Sequence, residues 1–357
     1  MITLDAYVLR RTLVPLALVF VAFAGIFVLV DLFDHAHSFI DNDVPPRIAL
    51  LYYAHYMPYI VVLTAPVAML LATLLSINRL TRWNELTAMK GSGVSLYRIL
   101  LPIFVLAALL SLASLAIGEF VVPPATQQRL EIKGTYIDRR PARNVRSDVI
   151  YMRVDGTTLV AKRFDARRMT LEEVTVQEFD AGRHPVSRID ARSARWEQGR
   201  WTLSDGQVRR FTADGETASS FQVMTLPYPD PTPEDLRTRK LKPEELGYRD
   251  LRAYIARMRA SGVDPGDLDV QLALKIAFPF VVLVMTLLGA PIAAGARRGG
   301  FALAFAAALS ISFLYYGVLQ VATVMGRQGF LPPALAAWIA NAIFAGIAVW
   351  ILVKTTK

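Results

Sequence analysis

Few residues in this chain are of types that do chemistry, and their spacing limits what that chemistry is. His35 and His37 stand two apart beside Asp34, a pattern that offers two imidazoles and a carboxylate to a cation. No third strong ligand is clustered nearby, so the better reading is a polar juxtamembrane turn, and no metal site is assigned. The glycine-rich GARRGG at 295–300 is short and sits between apolar runs, which makes it a connecting turn rather than a phosphate loop. The GxxxxGK[ST], HExxH and GxSxG patterns are absent, so no catalytic residue is expected and no cofactor is assigned to this chain. With no cysteine, disulfides and thiolate metal sites are excluded and the redox compartment is left open.

Charges near membrane depth are more informative, because an ionised group there is costly to bury. Asp31 ends the first apolar run, Glu119 ends the third, and Lys275 begins the fourth, all on one side of the membrane. They mark the interface, or they form a polar mouth that engages lipid head groups or a partner helix. Together with Asp34 and His35 they are the candidate substrate-binding residues.

The second candidate is RWNELTAMKGSGVSLYRIL, residues 82–100. Asn84 is placed to cap a helix over 84–90 whose first turn carries Glu85, favourable against the helix dipole. Leu86 and Met89 share a face, Trp83 precedes them, Gly91 or Gly93 supplies the break, and a following serine starts another helix. Such a knob either lies in the lipid interface or docks into a groove of another protein. Its apolar face is small for lipid, which favours docking.

The elements that must position these residues are apolar runs at 13–30, 56–77, 99–117, 276–296, 301–325 and 332–353, each near the roughly 20 residues that span a bilayer. Only helices or closed barrels satisfy backbone groups in lipid, which predicts six transmembrane helices. Pro58, Pro66, Pro102, Pro279 and Pro291 fall inside these runs. The first run follows Arg10 and Arg11 but continues into DLFDHAHSF without a cleavage pattern, so it reads as a retained anchor. Arg10, Arg11, Arg79, Arg82, Lys90, Arg98, Arg297, Arg298, Lys354 and Lys357 lie at one set of loops and ends. That bias predicts both termini and the 82–100 stretch on the cytoplasmic side. The net charge of +9 is mostly this topology signal, since residues 123–269 balance 26 Lys/Arg against 23 Asp/Glu; a nucleic-acid partner is not implied.

Residues 123–240 read as an inserted domain of short alternating strands, a β-sandwich or jelly-roll, with turns expected at Asp155-Gly156, Ala181–Pro185, Gly199, Asp205-Gly206 and Asp214-Gly215. PYPDPTPEDL reads as a linker within it. An amphipathic helix with Leu246, Leu251, Tyr254, Ile255 and Met258 follows in residues 241–269, ended by Gly262, before the spans of 270–357. Spans one to three occupy 1–122.

At NELTAMKGSGVS, at IGEFVVPPATQ, and through RDLRAYIARMRASG, KIAFPFVVLVMTLLGAPIA and FLPPALAAWIANAIF, the chain resembles the LptF/LptG permeases of the lipopolysaccharide exporter. The helix before span four is closer to the LptG branch. The resemblance implies a polytopic α-helical membrane protein with six transmembrane helices and a β-jelly-roll-like periplasmic domain between helices three and four. It further implies an inner-membrane permease of an ATP-binding-cassette exporter, with ATP and Mg used by a separate cytoplasmic ATPase dimer. The implied partners are a paralogous permease subunit or a second copy, a jelly-roll bridge protein, a single-span LptC-like protein, and lipopolysaccharide itself. Trp83, Glu85, Leu86, Met89, Gly91 and Gly93 would then couple the ATPase to the spans. The chain departs from the family just after span one, where lysines suited to lipid phosphates give way to Asp34, His35 and His37, so lipid contacts there are not carried over. An envelope scaffold without transport and a secondary transporter are the alternatives; the latter needs polar mid-span groups or broken helices, and no charge lies at mid-span.

Overall fold

The computed structural model describes residues 2–138, 145–153, 157–179, 185–212, 215–228, 231–237, 243–260, 265–295 and 301–355. They form two units. One comprises Met1–Ile137, Pro243–Arg252 and Gly266–Lys357, the other Asp138–Lys242 and Ala253–Pro265.

The first unit is helical. Among the described residues five helices are long and apolar enough to cross a membrane: α1 (Ile2–Asp34), α3 (Pro46–Arg82), α5 (Leu96–Phe120), α11 (Phe301–Arg327) and α12 (Pro333–Thr355). Shorter α2 (Ala36–Asp41) and α4 (Glu85–Gly91) flank α3, and α6 (Val122–Ile132) follows α5. A sixth candidate span is a pair, α9 (Gly266–Ala277) and α10 (Val281–Gly295), bent by 53° at a short break. Expected as one run from Ile276, this span therefore starts earlier, at Gly266, and Lys275 lies in the last turn of its first half.

Of the five prolines noted in the apolar runs, four ride inside continuous helices and only Pro279 falls at a break. Pro279 has no N–H to offer the Lys275 carbonyl four residues back, and the break that follows is braced by side chains of other helices. Here Ser111 Oγ donates to the Pro279 carbonyl (2.9 Å) and Asn341 Nδ2 to that of Ala277 (2.9 Å). Tyr315 Oη in turn donates to Asn341 Oδ1 (2.7 Å), so α5, α11 and α12 together hold the bend. The pair is thus a candidate broken helix of the kind a secondary transporter requires, with the carbonyls of Ala277 and Pro279 bonded to side chains of other helices.

α3 is the central helix, packing on α1, α5, α6, α10 and α11 and burying Met69, Leu70, Leu74 and Ile77. Ser76 of α3 donates to the Arg11 carbonyl (2.6 Å), a polar knot that fixes α1 to it. α1 otherwise leaves Leu13, Val14, Leu18 and Val21 exposed, as a lipid-facing helix does.

Residues from 123, expected to open the inserted domain, are helical instead. Pro123 and Pro124 sit in the first turn of α6, where a missing N–H is harmless, and a π-type turn (Lys133–Ile137) closes the segment within the helical unit.

The second unit is one antiparallel sheet of β1 (Val145–Met152), β2 (Thr158–Asp165), β3 (Thr170–Phe179), β4 (Pro185–Glu197), β5 (Arg200–Thr212) and β6 (Gly215–Thr225). Each strand pairs with its neighbours in sequence. Asp165 closes the β2–β3 turn. Its carboxylate accepts the amide of Arg168, and that of Arg167, which outweighs burial and holds it below the ordinary carboxylate range.

Burial along the strands changes phase at one row. Leu159 and Ala161 face the core, then Phe164; Leu171 does, then Val174 and Val176; Ile189 and Ala191 do, then Ala194. A regular strand alternates with period two, so each extra step is a local break in the pleat. The paired registers pass over Lys162, Glu173, Arg192 and Asp205, which lie side by side, and Glu173 and Asp205 adopt φ of 50° and 55°. This crease lets residues on both sides of it aim at one core. Asp205-Gly206, expected as a turn, is part of the crease inside β5. Any side chain at Gly206 would collide with the Asp190 carbonyl and the Phe221 ring, so the close approach requires glycine.

The expected linker is also structured. α7 (Pro233–Arg237) returns Leu236 to the sheet core, and the Trp201 indole donates to the Pro231 carbonyl. A prolyl carbonyl is a natural partner here, since Trp201 is fully buried and needs an acceptor. The turns at Asp155-Gly156 and residues 181–184, Asp214, and Gly262 lie outside the described residues. α8 (Tyr248–Ala260) is the expected amphipathic helix, with Leu251 and Ile255 buried. Because the sheet carries its own core, residues 138–265 expressed alone give a soluble protein with a β-dominated far-UV circular dichroism spectrum and a minor helical part. A predominantly helical spectrum would contradict a sheet that folds on its own contacts.

Candidate functional site

The 82–100 stretch forms α4 between α3 and α5, one residue later than expected. Asn84 does not cap it through its side chain. It takes the left-handed conformation (φ 55°), which Asn tolerates, and so turns the chain sharply out of α3. Gly93, at φ 85°, makes the exit, and Ser95 caps α5 by accepting from Arg98 N. Of the residues expected on a docking face, Leu86 is buried and Met89 half-buried against the chain's own core, while Trp83 is 68% exposed. Gly91 and Gly93 are exposed, leaving Trp83 and the α4 exit as the free surface.

Glu85 is tied to α1. Tyr7 Oη donates to Glu85 Oε2 (2.6 Å), and Arg11 donates to Oε1 (3.4 Å) and to Tyr7 Oη (2.7 Å). Nearby, Arg98 grips Asp5 with two bonds of 2.6 Å, joining the starts of α1 and α5. Tyr7 and Arg11 escaped the sequence reading because only tertiary folding brings them to Glu85; the basic pair Arg10-Arg11 read solely as a topology signal.

The five candidate substrate residues do not form one site. Asp31 and His35 fall in a half-buried cluster with residues of α3 and α6. Arg129 donates to Asp31 Oδ1 (3.0 Å) and Tyr52 Oη (2.8 Å), and its guanidinium stacks 3.3 Å from the Tyr56 ring centroid. Lys133 Nζ meets His35 Nε2 at 2.7 Å, and His35 Nδ1 lies 2.8 Å from the Asp31 carbonyl oxygen. Asp34, the last residue of α1, is exposed and outside this cluster. Arg129 and Lys133 were hidden in a segment read as the start of the insert. Their spacing of four on a helix opened by Pro-Pro is the signal that would have found them.

Glu119 and Lys275 line a separate cavity of about 770 Å³ between α3, α5, α9 and α11, walled by Leu115, Leu274, Ile276 and Leu319. They are not ion-paired with each other; Glu119 Oε2 instead accepts the Tyr248 N–H (2.6 Å) and anchors the first turn of α8. A carboxylate there satisfies an orphan helix donor and opposes the dipole. Tyr59, Arg249, Gln271 and Arg327 add polar groups around the otherwise apolar cavity. This mixture suits an amphiphile with a charged head. Among the described residues no group of three or more His, Asp or Glu is placed to hold a metal ion.

A second cavity of about 850 Å³ opens along α1. Arg10, Arg11, Arg79 and Tyr7 stand at one end, and Leu18, Phe23, Leu71 and Leu75 line the rest.

Residues 6–354 match the family described as lipopolysaccharide export system permease LptF/LptG. The chain is 25% identical over 303 residues to the lipopolysaccharide export system permease protein LptG of Escherichia coli K12, covering 81% of either chain. It is 22% identical over 353 residues to the protein of the same name from Haemophilus influenzae, covering 98% of either chain. A match over nearly the whole length joins the apolar helices, the sheet between α6 and α8, and α4 in one chain. This multi-pass membrane protein belongs to the lipopolysaccharide export permease family LptF/LptG.

Proposed function

We propose that the chain is the transmembrane subunit of an ATP-binding-cassette exporter that extracts lipopolysaccharide from the inner membrane and passes it, through its sheet domain, to a periplasmic bridge. A cytoplasmic ATPase dimer would bind ATP and Mg and dock at α4; a paralogous permease or a second copy would complete the transmembrane part. The carrying observation is the tie from Glu85 of α4 to Tyr7 and Arg11 of α1. A displacement of α4 by a closing ATPase would thereby be passed to α1.

The test is ATP hydrolysis by the chain purified with its ATPase in lipid nanodiscs. Hydrolysis rises on addition of lipopolysaccharide if the chain is a permease, and stays flat if it only scaffolds the envelope. In the same assay Lys275→Glu lowers the stimulated rate by about tenfold, the scale of one charge-assisted contact, and leaves basal hydrolysis nearly unchanged. Equal loss of both rates would make Lys275 a structural residue of the α9 end.

A further inference from the structure

We propose that the groove along α1 holds an anionic phospholipid of the membrane leaflet at its arginine end, head group on Arg10 and Arg79 and acyl chains along the apolar wall. Three observations carry this. First, the groove is amphiphilic in the order a lipid requires: Tyr7, Arg10, Arg11 and Arg79 cluster at one end, and beyond them the lining is almost wholly apolar out to Ile26. Sixteen residues of helix separate Arg10 from Ile26, about 24 Å at 1.5 Å per residue. That exceeds the roughly 15 Å of hydrocarbon in half a bilayer, so a full acyl chain fits alongside.

Second, the charge at the mouth is uncompensated. Arg11 shares Glu85 with Tyr7, whereas Arg10 and Arg79 form no ion pair among the described residues. One carboxylate against three guanidiniums leaves an excess of two positive charges, a match for a phosphate and a second anionic group. A guanidinium binds phosphate oxygens through a planar fork that a zwitterionic head group engages less well, since its own ammonium is repelled. Third, about 850 Å³ is the size of a site for one small amphiphile. The groove is open along its length, so it takes one acyl chain and part of the head group of a phospholipid while the second chain stays in the surrounding bilayer.

The site also borders α4. A phosphate drawn toward Arg11 competes with Glu85 for its guanidinium, so lipid occupancy would loosen the α1–α4 tie. That regulatory consequence rests on the coupling role proposed above; the binding site itself does not.

The experiment is native mass spectrometry of the full chain, purified in mild detergent and exchanged into mixed phosphatidylglycerol and phosphatidylethanolamine. The expected result is one retained phosphatidylglycerol, preferred over phosphatidylethanolamine by about tenfold or more, as two interfacial arginines should give. Arg10→Gln/Arg79→Gln removes the preference, and Arg10→Lys/Arg79→Lys keeps most of it. Leu75→Trp, which fills the groove without touching the arginines, lowers retention of both lipids. Equal retention of the two lipids by the parent chain would reduce the groove to unselective lipid contact and overturn the proposal. So would a dimer that excludes lipid, or displacement of phosphatidylglycerol by lipopolysaccharide at equal concentration.

Discussion

Glu85→Lys is expected to abolish lipopolysaccharide export while the protein still inserts and accumulates. Two effects add. The substitution removes the acceptor of the 2.6 Å bond from Tyr7 and places a cation beside Arg11, so attraction between α4 and α1 becomes repulsion. It also reverses the one acidic charge that α4 offers to a partner. A charge-assisted hydrogen bond is worth about 1.5–3 kcal/mol, and at 1.4 kcal/mol per decade its loss alone weakens coupling by roughly tenfold or more. Glu85→Gln keeps an acceptor for Tyr7 and loses only the charge, so it impairs export less. Tyr7→Phe removes the bond from the α1 side and leaves the α4 surface intact; it falls between parent and Glu85→Gln. Insertion is preserved because a further lysine in an already basic loop reinforces its placement. Thr87, exposed on the far face of α4, tolerates alanine. The readouts are export in cells or vesicles and co-purification with the ATPase. Parental export by a Glu85→Lys protein that co-purifies normally would reduce Glu85 to a packing residue of the α1–α4 contact.

Arg129→Leu is expected to lower stability by stranding Asp31. Asp31 and Arg129 have side chains only 10% and 16% exposed, and Asp31 Oδ2 already lacks a hydrogen-bond partner. Removing the guanidinium strands a buried carboxylate, which typically costs about 3–5 kcal/mol and lowers the apparent Tm in detergent by roughly 10 °C. Asp31→Leu/Arg129→Leu recovers most of that loss, because neither charge is then left unpaired. Arg129→Lys is intermediate: it keeps the charge and gives up the planar guanidinium whose Nη2 reaches both Asp31 and Tyr52 and whose face stacks on Tyr56. Thermal unfolding of the four proteins decides the matter. Unchanged Tm in the single variant would show that water already solvates Asp31.

Corrections to the sequence reading cluster where distant segments meet. Asp31, Glu119 and Lys275 stand out in the sequence as costly charges and His35 as a polar turn residue, yet Asp31 is claimed by Arg129, His35 by Lys133, and Glu119 by the Tyr248 amide. Each partner lies more than ninety positions away, beyond any periodicity a window can register. Leu86 read as a docking residue because a seven-residue helix shows which residues share a face but not which face its own protein covers.

The sequence by itself determined the apolar spans, the strand-rich insert and the existence of α4, since these follow from local hydropathy, alternation and turn chemistry that hold whatever the neighbours are. Only the tertiary structure decided the rest. It braced a break in the fourth apolar run at Pro279, because Ser111 and Asn341 arrive to bond the carbonyls of Pro279 and Ala277. It put Asp205-Gly206 inside a strand, because the crease must let Phe164, Val174 and Ala194 reach one core. It brought Tyr7 and Arg11 to Glu85. Hydrogen bonds and packing between remote segments are worth as much as local preference, and a one-dimensional pattern carries no record of them.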